Sequence, residues 1–428
     1  MATDSKEIAI DMSPFFRIFK DNTIHRIPPP QFHPTSDDPT AAVRSKDVVI
    51  DKETGVSVRI FAPRHQDPPR KLPLVVYIHG GAFCVGSASN PVYHNLLASI
   101  VQKANVIAVS VDYRLAPESP LPIAFDDSWS AFQWTAAHAN GKGPDPWLNE
   151  YADFRRVFIG GDSAGGNIAN DVAVRAGVQG FPGVEIVGIF LMHPFFGGKD
   201  EDKLYKFICP TSSGRDDDPR LFPAVDPRIR QMAGRRVMFF VAEKDFLKDR
   251  AMAYYEGLKK SEWPGEVEIM ETEGEGHCFY LFDLSTEKAV AIMDRLVAFL
   301  KKQTETMMKL GFYNMKKMLG IDSKREKCRV GYTRRGSNPQ GVRLLLENLE
   351  ALPETPGVGS SPPGFRVPLG NMEASMETTG VGLNSLAARV THVNLNTQFA
   401  EESLQCTKEQ LAGLIQGAVS ATLARRGE

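Results

Sequence analysis

The sequence has few cysteines, no long apolar run and no excess of basic charge. Its five cysteines are odd in number and scattered, without a C-x-x-C pair, which predicts reduced thiols in the cytoplasm and argues against a zinc site. No stretch approaches the roughly eighteen apolar residues of a membrane-spanning helix, and the first residues lack the apolar core of a signal peptide. With 50 Lys and Arg against 52 Asp and Glu, nucleic acid is not an expected partner.

What the sequence does have is a regular succession of short apolar segments. Runs without alternation are typical of strands buried on both faces, and helix-like segments lie between them, so we predict an α/β fold with a mostly parallel central sheet and helices on both faces. The predicted strands are LPLVVYIHG, NVIAVSVDY, RVFIGGD, EIVGIFLMHP, RVMFFVAEKD and EVEIMETEG. The predicted helices lie near residues 91–103, 121–139, 164–178, 247–261 and 286–302. Alternating apolar residues over 46–63 predict an antiparallel hairpin before this pattern begins.

Two regions interrupt the alternation of strands and helices. They are residues 1–40, which are rich in proline and phenylalanine, and residues 195–235, which include CPTSSGRDDDPRLFPAVDP. Long insertions in compact domains often cover active sites. We therefore predict that both regions are cap elements over the ends of the strands.

The character of the chain changes after Lys302, so we predict one α/β domain over residues 1–302 and a separate tail over 303–428. The tail has too little apolar content to offset the entropy of ordering, apart from a possible helix over 408–425. It is either an appended interaction segment with an unknown partner or a fusion introduced by an inaccurate gene prediction. Its composition, which matches nothing in the domain, favours the second interpretation.

One serine lies between glycines in FIGGDSAGGN. The spacing Gly161-x-Ser163-x-Gly165 is weak evidence by itself, but an apolar strand precedes it and a helix-like segment follows it. This context of strand, sharp turn and helix is that of a nucleophile elbow. We therefore predict Ser163 as a nucleophile, with the N-terminus of the following helix directed at the site.

A serine hydroxyl becomes a nucleophile only when a base removes its proton and an acid orients that base. Asp245 follows the predicted strand RVMFFVAEKD, and His277 follows the last predicted strand, in EGEGHCFY. Either residue alone would be an ordinary surface side chain. All three lie just after strands, whose ends meet at one edge of a parallel sheet, so together they predict a catalytic triad.

The stretch YIHGGAF supplies glycines at the end of another strand. Such a loop can present backbone N–H groups to a tetrahedral oxyanion, and we predict Gly80, Gly81 and Ala164 as the donors. The alternative is a plain Gly-Gly turn. Aromatic side chains predicted to face the pocket suggest an apolar ligand; they are Phe83, Phe195, Phe246 and Phe279.

Several longer motifs resemble those of plant carboxylesterases, in the hormone-sensitive-lipase-like branch of the α/β-hydrolase fold. They are HGGAF, VDYRLAPESPLPIAFDD, GDSAGGN, HPFFGG, CPTSSGRDDDP, AEKDFLKDRAMAYYEGLKK and EGEGHCFYLF. The resemblance covers about residues 6–302 and excludes the tail. It implies the same triad and oxyanion donors, and it adds Asp162, Tyr113 and Arg114 as supporting residues near the substrate. Gly276 and Tyr280 depart from the pattern, in which relatives often carry an acidic residue and a histidine.

The resemblance leaves three functions open. Gibberellin receptors of the same group bind a hormone without turnover, but they typically lack the histidine that is present here as His277. The 2-hydroxyisoflavanone dehydratases eliminate water and often have threonine in place of Ser163. We therefore expect hydrolysis of small apolar esters through an acyl-enzyme intermediate. The sequence contains no H-E-x-x-H motif, P-loop or dinucleotide fingerprint, so no metal or other cofactor is expected.

Overall fold

The computed structural model describes residues 7–64, 71–215 and 217–302. The chain divides into two units, Met1–Ile321 and Asp322–Glu428, and all described residues belong to the first. The predicted tail, including its possible helix over 408–425, lies outside the described residues. The domain boundary near residue 303 therefore stays a prediction.

The described chain begins with a small antiparallel sheet that the sequence did not predict. Its strands are β1 (Ile8–Met12), β2 (Phe16–Phe19) and β3 (Ile24–Arg26). The turn between the first two strands is held by Asp11, whose carboxylate accepts hydrogen bonds from the N–H and the hydroxyl of Ser13. Phe16 is completely buried, and its ring lies 6.1 Å from that of Phe207 in the second predicted cap region. The two regions therefore touch each other.

The main sheet has eight strands. They are β4 (Val43–Val49), β5 (Ser57–Pro63), β6 (Leu72–Ile78), β7 (Ile107–Asp112), β8 (Ala152–Asp162), β9 (Ile186–Met192), β10 (Arg236–Ala242) and β11 (Glu266–Thr272). Their spatial order is β11-β10-β9-β8-β6-β7-β5-β4. Only the β4–β5 hairpin and the β5–β7 pair are antiparallel. The predicted hairpin and the mostly parallel sheet are confirmed.

Helices cover both faces of this sheet. They are α1 (Pro91–Ala104), α2 (Ile123–Ala136), α3 (Pro146–Tyr151), α4 (Ser163–Gln179), α5 (Lys203–Ile208), α6 (Lys248–Lys260) and α7 (Glu287–Lys301). Alternate residues of β6 point to opposite faces: Val76 packs in the cluster that contains α2 and α4, and Val75 packs in the cluster that contains α1 and α7. Each fully buried aliphatic side chain stabilises the fold by about 1.5–3 kcal/mol. Among the described residues, no helix is long and apolar enough to cross a membrane.

The region 195–235 contains α5 and two short 3₁₀ turns, Pro223–Val225 and Ile229–Gln231. Its attachment to the sheet is polar as well as apolar, because the side-chain amide of Asn167 in α4 donates to the backbone carbonyls of Phe195 and Arg220. These bonds hold the start and the middle of the insertion against α4. Its role as a cap stays a prediction.

We expect a chain that ends at Lys302 to fold cooperatively, with a thermal midpoint within a few degrees of that of the full chain. The reason is that α7 already completes the apolar cluster through Ile292, Leu296 and Phe299. Circular dichroism during heating measures this. A chain that ends at Thr286 is the control and should not fold, since it loses that buried face. Loss of cooperative unfolding in the longer chain would show that residues after 302 belong to the core.

Candidate active site

Ser163 occupies a strained turn between β8 and α4. Its φ of 50° lies in the left-handed region, which costs a residue with a side chain on the order of 1–2 kcal/mol. A Cβ atom added to Gly161 would overlap the carbonyl oxygen of Ile78, and one added to Gly165 would overlap the carbonyl oxygens of Ile78 and His79. The two glycines are therefore required by backbone contact, and this contact brings the serine next to the loop after β6.

The structure brings Ser163, Asp245 and His277 together in one hydrogen-bonded chain. The Oγ atom of Ser163 lies 2.9 Å from Nε2 of His277, and Nδ1 of His277 lies 2.9 Å from Oδ2 of Asp245. The other carboxylate oxygen of Asp245 accepts from the backbone N–H of Leu247 at 2.8 Å. Three side chains that are far apart in the sequence are thus arranged as a nucleophile, a base and an orienting acid.

The carboxylate of Asp245 is almost completely buried. Burial alone would raise its pKa, but its contact with His277 and the hydrogen bond from the backbone N–H of Leu247 outweigh that effect and hold the pKa well below its usual range. The ionised form of Asp245 is therefore favoured. A fixed negative charge at this position stabilises a positive charge on the neighbouring imidazole of His277.

The loop after β6 contains the predicted oxyanion donors, and the structure corrects one of them. The backbone N–H of Gly80 donates to Oδ1 of Asp162 at 2.9 Å, so it is not free to bind an oxyanion. In the described part of the chain, the N–H groups of Gly81 and Ala164 have no acceptor. Gly81 has a φ of 106°, and a Cβ there would overlap the carbonyl oxygen of Val85. Glycine is therefore needed for the shape of this loop.

Asp162 does not face the substrate, contrary to the expectation from the resemblance. It is only 1% exposed, and its carboxylate accepts from the hydroxyls of Tyr77 and Tyr93 and from the N–H of Gly80. Burial raises the pKa of this carboxyl, and the three hydrogen bonds offset only part of that effect. Asp162, which directly precedes Ser163, thus links the nucleophile elbow to the oxyanion loop through its hydrogen bond with Gly80.

A second support of the same loop comes from Tyr113. Its hydroxyl donates to the carbonyl oxygen of His79 at 2.8 Å, and its ring stacks on the imidazole of His79 with a centroid distance of 4.3 Å. Arg114 lies next to it and forms a bidentate ion pair with Asp127. Both residues therefore fix backbone around the site.

The four predicted pocket aromatics differ in exposure. Phe83 is 1% exposed and packs against Phe125, Phe195 and Tyr205, so the prediction that it lines an open pocket is wrong: its ring fills the core. Phe195 and Phe279 are partly buried. Phe246 is 73% exposed, and its ring lies 5.1 Å from that of His277. Of these four residues, only Phe246 is largely exposed to solvent, and it lies next to His277.

A cavity of about 610 Å³ lies beside the oxyanion loop. Its wall includes Gly81, Tyr93, Leu281, Phe282 and the three prolines 28–30. The sequence analysis did not single out this proline run, although IPPPQF is a recognisable signal, because consecutive prolines fix an extended segment without internal hydrogen bonds. The segment that follows β3 therefore forms one side of the cavity.

His193 was also missed, although its motif HPFFGG was noticed. It directly follows β9, so it lies at the same edge of the sheet as the triad. Its Nδ1 atom is 2.9 Å from the backbone nitrogen of Cys278 and 3.3 Å from Oδ2 of Asp245. Of the two departures from the family pattern, Tyr280 is buried with its ring 5.4 Å from that of His193, and Gly276 borders open space.

One group of possible metal ligands occurs among the described residues. Donor atoms of His193, His277 and Cys278 all lie within 4.8 Å of one another. Burial raises the pKa of the Cys278 thiol well above its ordinary value, which disfavours the thiolate that a metal requires. Both ring nitrogens of His277 already have hydrogen-bond partners. The arrangement is therefore suited to proton transfer rather than to metal binding.

Comparisons with known proteins agree with this fold. A family model described as "alpha/beta hydrolase fold" matches residues 75–281. The chain is 41% identical over 318 residues to "Probable carboxylesterase 2" of Arabidopsis thaliana, covering 71% of this chain and 99% of the relative. It is 38% identical to a 2-hydroxyisoflavanone dehydratase of Glycyrrhiza echinata, covering 70% and 98%. A solved esterase of Pyrobaculum calidifontis matches 60% of this chain and 84% of its own, with a TM-score of 0.51 and 23% identity.

We expect Gly165→Ala to abolish activity or soluble expression, because the new methyl group would overlap two backbone carbonyls that cannot move independently. Overpacking of this kind typically costs about 1–3 kcal/mol or more. Gly276→Ala is the matched control, since nothing lies within 4 Å of its added Cβ, and it should stay within about 0.5 kcal/mol of the parent. Urea unfolding of both variants measures the difference. Equal stabilities would mean that the elbow is not constrained by this contact.

Proposed function

The chain belongs to the α/β-hydrolase fold family, and we propose that it is a serine carboxylesterase that hydrolyses small apolar esters through an acyl-enzyme intermediate. The observation that carries the proposal is the pair of 2.9 Å contacts that link Ser163 to His277 and His277 to Asp245. The relative in Arabidopsis thaliana that is named as a carboxylesterase supports the same reaction class.

In the first step, Nε2 of His277 takes the proton from Oγ of Ser163, and Oγ attacks the carbonyl carbon of the ester. The carbonyl oxygen becomes negatively charged in the tetrahedral intermediate. It would accept hydrogen bonds from the backbone N–H groups of Gly81 and Ala164, and the latter lies in the first turn of α4, whose dipole also favours negative charge. The imidazolium that forms is stabilised by the ionised carboxylate of Asp245.

In the second step, the imidazolium gives its proton to the leaving alcohol, and the bond between the carbonyl carbon and the alcohol oxygen breaks. The acyl group remains on Ser163. A water molecule then gives its proton to His277 and attacks the acyl carbon. The bond between the acyl carbon and Oγ then breaks, His277 returns the proton to Oγ of Ser163, and the carboxylic acid leaves, so the same base serves both halves of the reaction.

The cavity beside the oxyanion loop supports a substrate of modest size. The cavity of about 610 Å³ falls in the range of about 300–1,000 Å³ that is usual for small-molecule sites. We propose that Phe246, Phe279 and Phe282 contact the acyl or alcohol group. The ring of Phe246 lies 5.1 Å from that of His277, the ring of Phe279 lies 6.0 Å from that of His193, and Phe282 lines the cavity. Phe195 lies deeper, against Phe83, and would limit the length of the group that enters.

A dehydratase is the second candidate, because one relative of 38% identity carries that name. A lyase would use the same cavity and base but would not need an acylated serine. Incubation of the full chain with a 2-hydroxyisoflavanone distinguishes the two, since loss of water without an ester substrate would favour the lyase. A non-catalytic receptor is less well supported, because His277 is in contact with Ser163.

We also propose that the protein works in the cytoplasm. Three cysteines of the described part, Cys84, Cys209 and Cys278, are buried and not in disulfides, and burial raises the pKa of the Cys84 thiol to about 12. Such thiols are compatible with a reducing compartment. Microscopy of the full chain fused to a fluorescent protein would test this location, and a plastid signal would contradict it.

We expect Ser163→Ala to lower kcat for a short p-nitrophenyl ester by about four to six orders of magnitude, because the variant has no oxygen to acylate. Its thermal midpoint should not fall, since no bulk is added. An organophosphonate should add its mass to the parent protein at Ser163 and leave the variant unmodified. Turnover equal to that of the parent would show that another group is the nucleophile.

We expect kcat/KM to rise with pH through a single ionisation. The base accepts a proton only when its imidazole is neutral, so activity is lost as falling pH protonates it. Asp245 adds no second step, because its pKa is held well below its usual range. Asp245→Asn should keep the fold and lower kcat by about 10⁴-fold. A rate that falls with rising pH over the same interval would contradict a histidine base.

A further inference from the structure

His193 lies beneath the loop that carries the base. It has a left-handed φ of 48° directly after β9, and its backbone N–H donates to the carbonyl oxygen of Phe240 in the neighbouring strand. Its side chain is completely buried. Its ring lies 6.0 Å from the rings of both His277 and Phe279. The imidazole is thus enclosed by the residues on either side of Cys278.

The Nδ1 atom of His193 touches two groups with opposite requirements. The backbone N–H of Cys278, 2.9 Å away, needs an acceptor, whereas the carboxylate of Asp245, 3.3 Å away, would prefer a donor. A backbone N–H always carries its proton, and two N–H groups at 2.9 Å would repel each other. The carboxylate of Asp245 already accepts hydrogen bonds from Nδ1 of His277 and from the backbone N–H of Leu247. Nδ1 of His193 is therefore an unprotonated acceptor, and the ring proton is on Nε2.

Burial lowers the pKa of His193, against the opposing effects of Asp245 and Asp162. Burial thus favours the neutral form of the ring. In the described part of the chain, Nε2 of His193 has no hydrogen-bond partner. A buried donor without a partner is unfavourable, so burying this imidazole costs free energy of folding. The hydrogen bond that Nδ1 accepts from Cys278 offsets part of that cost.

We infer that His193 is a positioning residue for the base: its Nδ1 atom holds the backbone N–H of Cys278 and so fixes the preceding residue, His277, between Ser163 and Asp245. This inference rests on the proposed function. Between β11 and the next short helical turn, the loop has no regular structure, and Cys278 itself has a left-handed φ of 51°. The loop is also joined to the turn after β10, by the N–H of Lys244 to the carbonyl of Glu275 and by the N–H of Gly274 to the carboxylate of Glu243, but the bond to His193 is the one adjacent to the base.

Without the acceptor, the buried N–H of Cys278 would lose its hydrogen-bond partner, which is unfavourable. The loop would move to recover a hydrogen bond, and the ring of His277 would leave its position near Ser163. Displacement by about 1 Å can cost on the order of 100-fold in rate. Substrate affinity would change little, because His193 is enclosed in the core rather than in the cavity.

The test compares three variants of the full chain. His193→Asn keeps an acceptor, Oδ1, at the position of Nδ1, and asparagine tolerates a left-handed φ. His193→Gln places its acceptor one bond further out, and His193→Leu has none. We expect Asn to keep kcat within about fivefold, and Gln and Leu to lower kcat by up to about 100-fold with KM nearly unchanged. Equal kcat values for Asn and Leu would overturn the inference.

If Gln and Leu do not fold, the parent protein itself decides the question. ¹⁵N NMR of the histidine rings, with His193 assigned by the Asn variant, should show a neutral ring with its proton on Nε2 and Nδ1 coupled to a backbone amide. A proton on Nδ1 would overturn the inference. Ser163→Ala separates the two proposals: if it is inactive while the Asn and Leu variants behave alike, the role of His193 fails and the esterase mechanism stands.

Discussion

The active site depends on one backbone-to-backbone contact, in which the elbow after β8 crosses the end of β6 without any side chain between them. Gly161 and Gly165 approach the carbonyl oxygen of Ile78 more closely than a Cβ atom would allow. This contact places the nucleophile on one side of the crossing and the oxyanion loop on the other. Because both sides are backbone, their relative position cannot adjust to a substitution, and this rigidity gives the preorganisation that charge stabilisation requires.

Around this contact, buried polar side chains form hydrogen bonds to the catalytic loops, which apolar packing alone does not fix. Asp162 joins the elbow to Gly80, and Tyr113 supports the adjacent carbonyl of His79. On the opposite side of the nucleophile, His193 holds the loop of the base. Loops that carry catalytic groups are short of regular hydrogen bonds, and in this protein side chains buried beneath them provide the missing bonds.

The sequence predicted the triad because each member directly follows a strand, and in a mostly parallel sheet the ends of the strands meet. It could not predict the partners of buried polar groups, which depend on tertiary contacts. Gly80 was therefore named as a donor to substrate, although its N–H is taken by Asp162, and Phe83 was placed in the pocket, although it fills the core. The N-terminal sheet was missed because its strands are short and held by local turns such as that of Asp11.

The two carboxylates near the site show how environment assigns different roles to the same chemical group. Both are buried, and burial raises the pKa of each. Asp162 accepts from two hydroxyls and one amide, and His79 also lowers its pKa, but burial prevails and the pKa is raised. Asp245 contacts the imidazole of His277, which becomes positively charged during the reaction, and its pKa is lowered. Of the two carboxylates, Asp245 is the one whose charge is favoured and whose position lets it stabilise the imidazolium. Asp162, with similar burial, is limited to holding the loop.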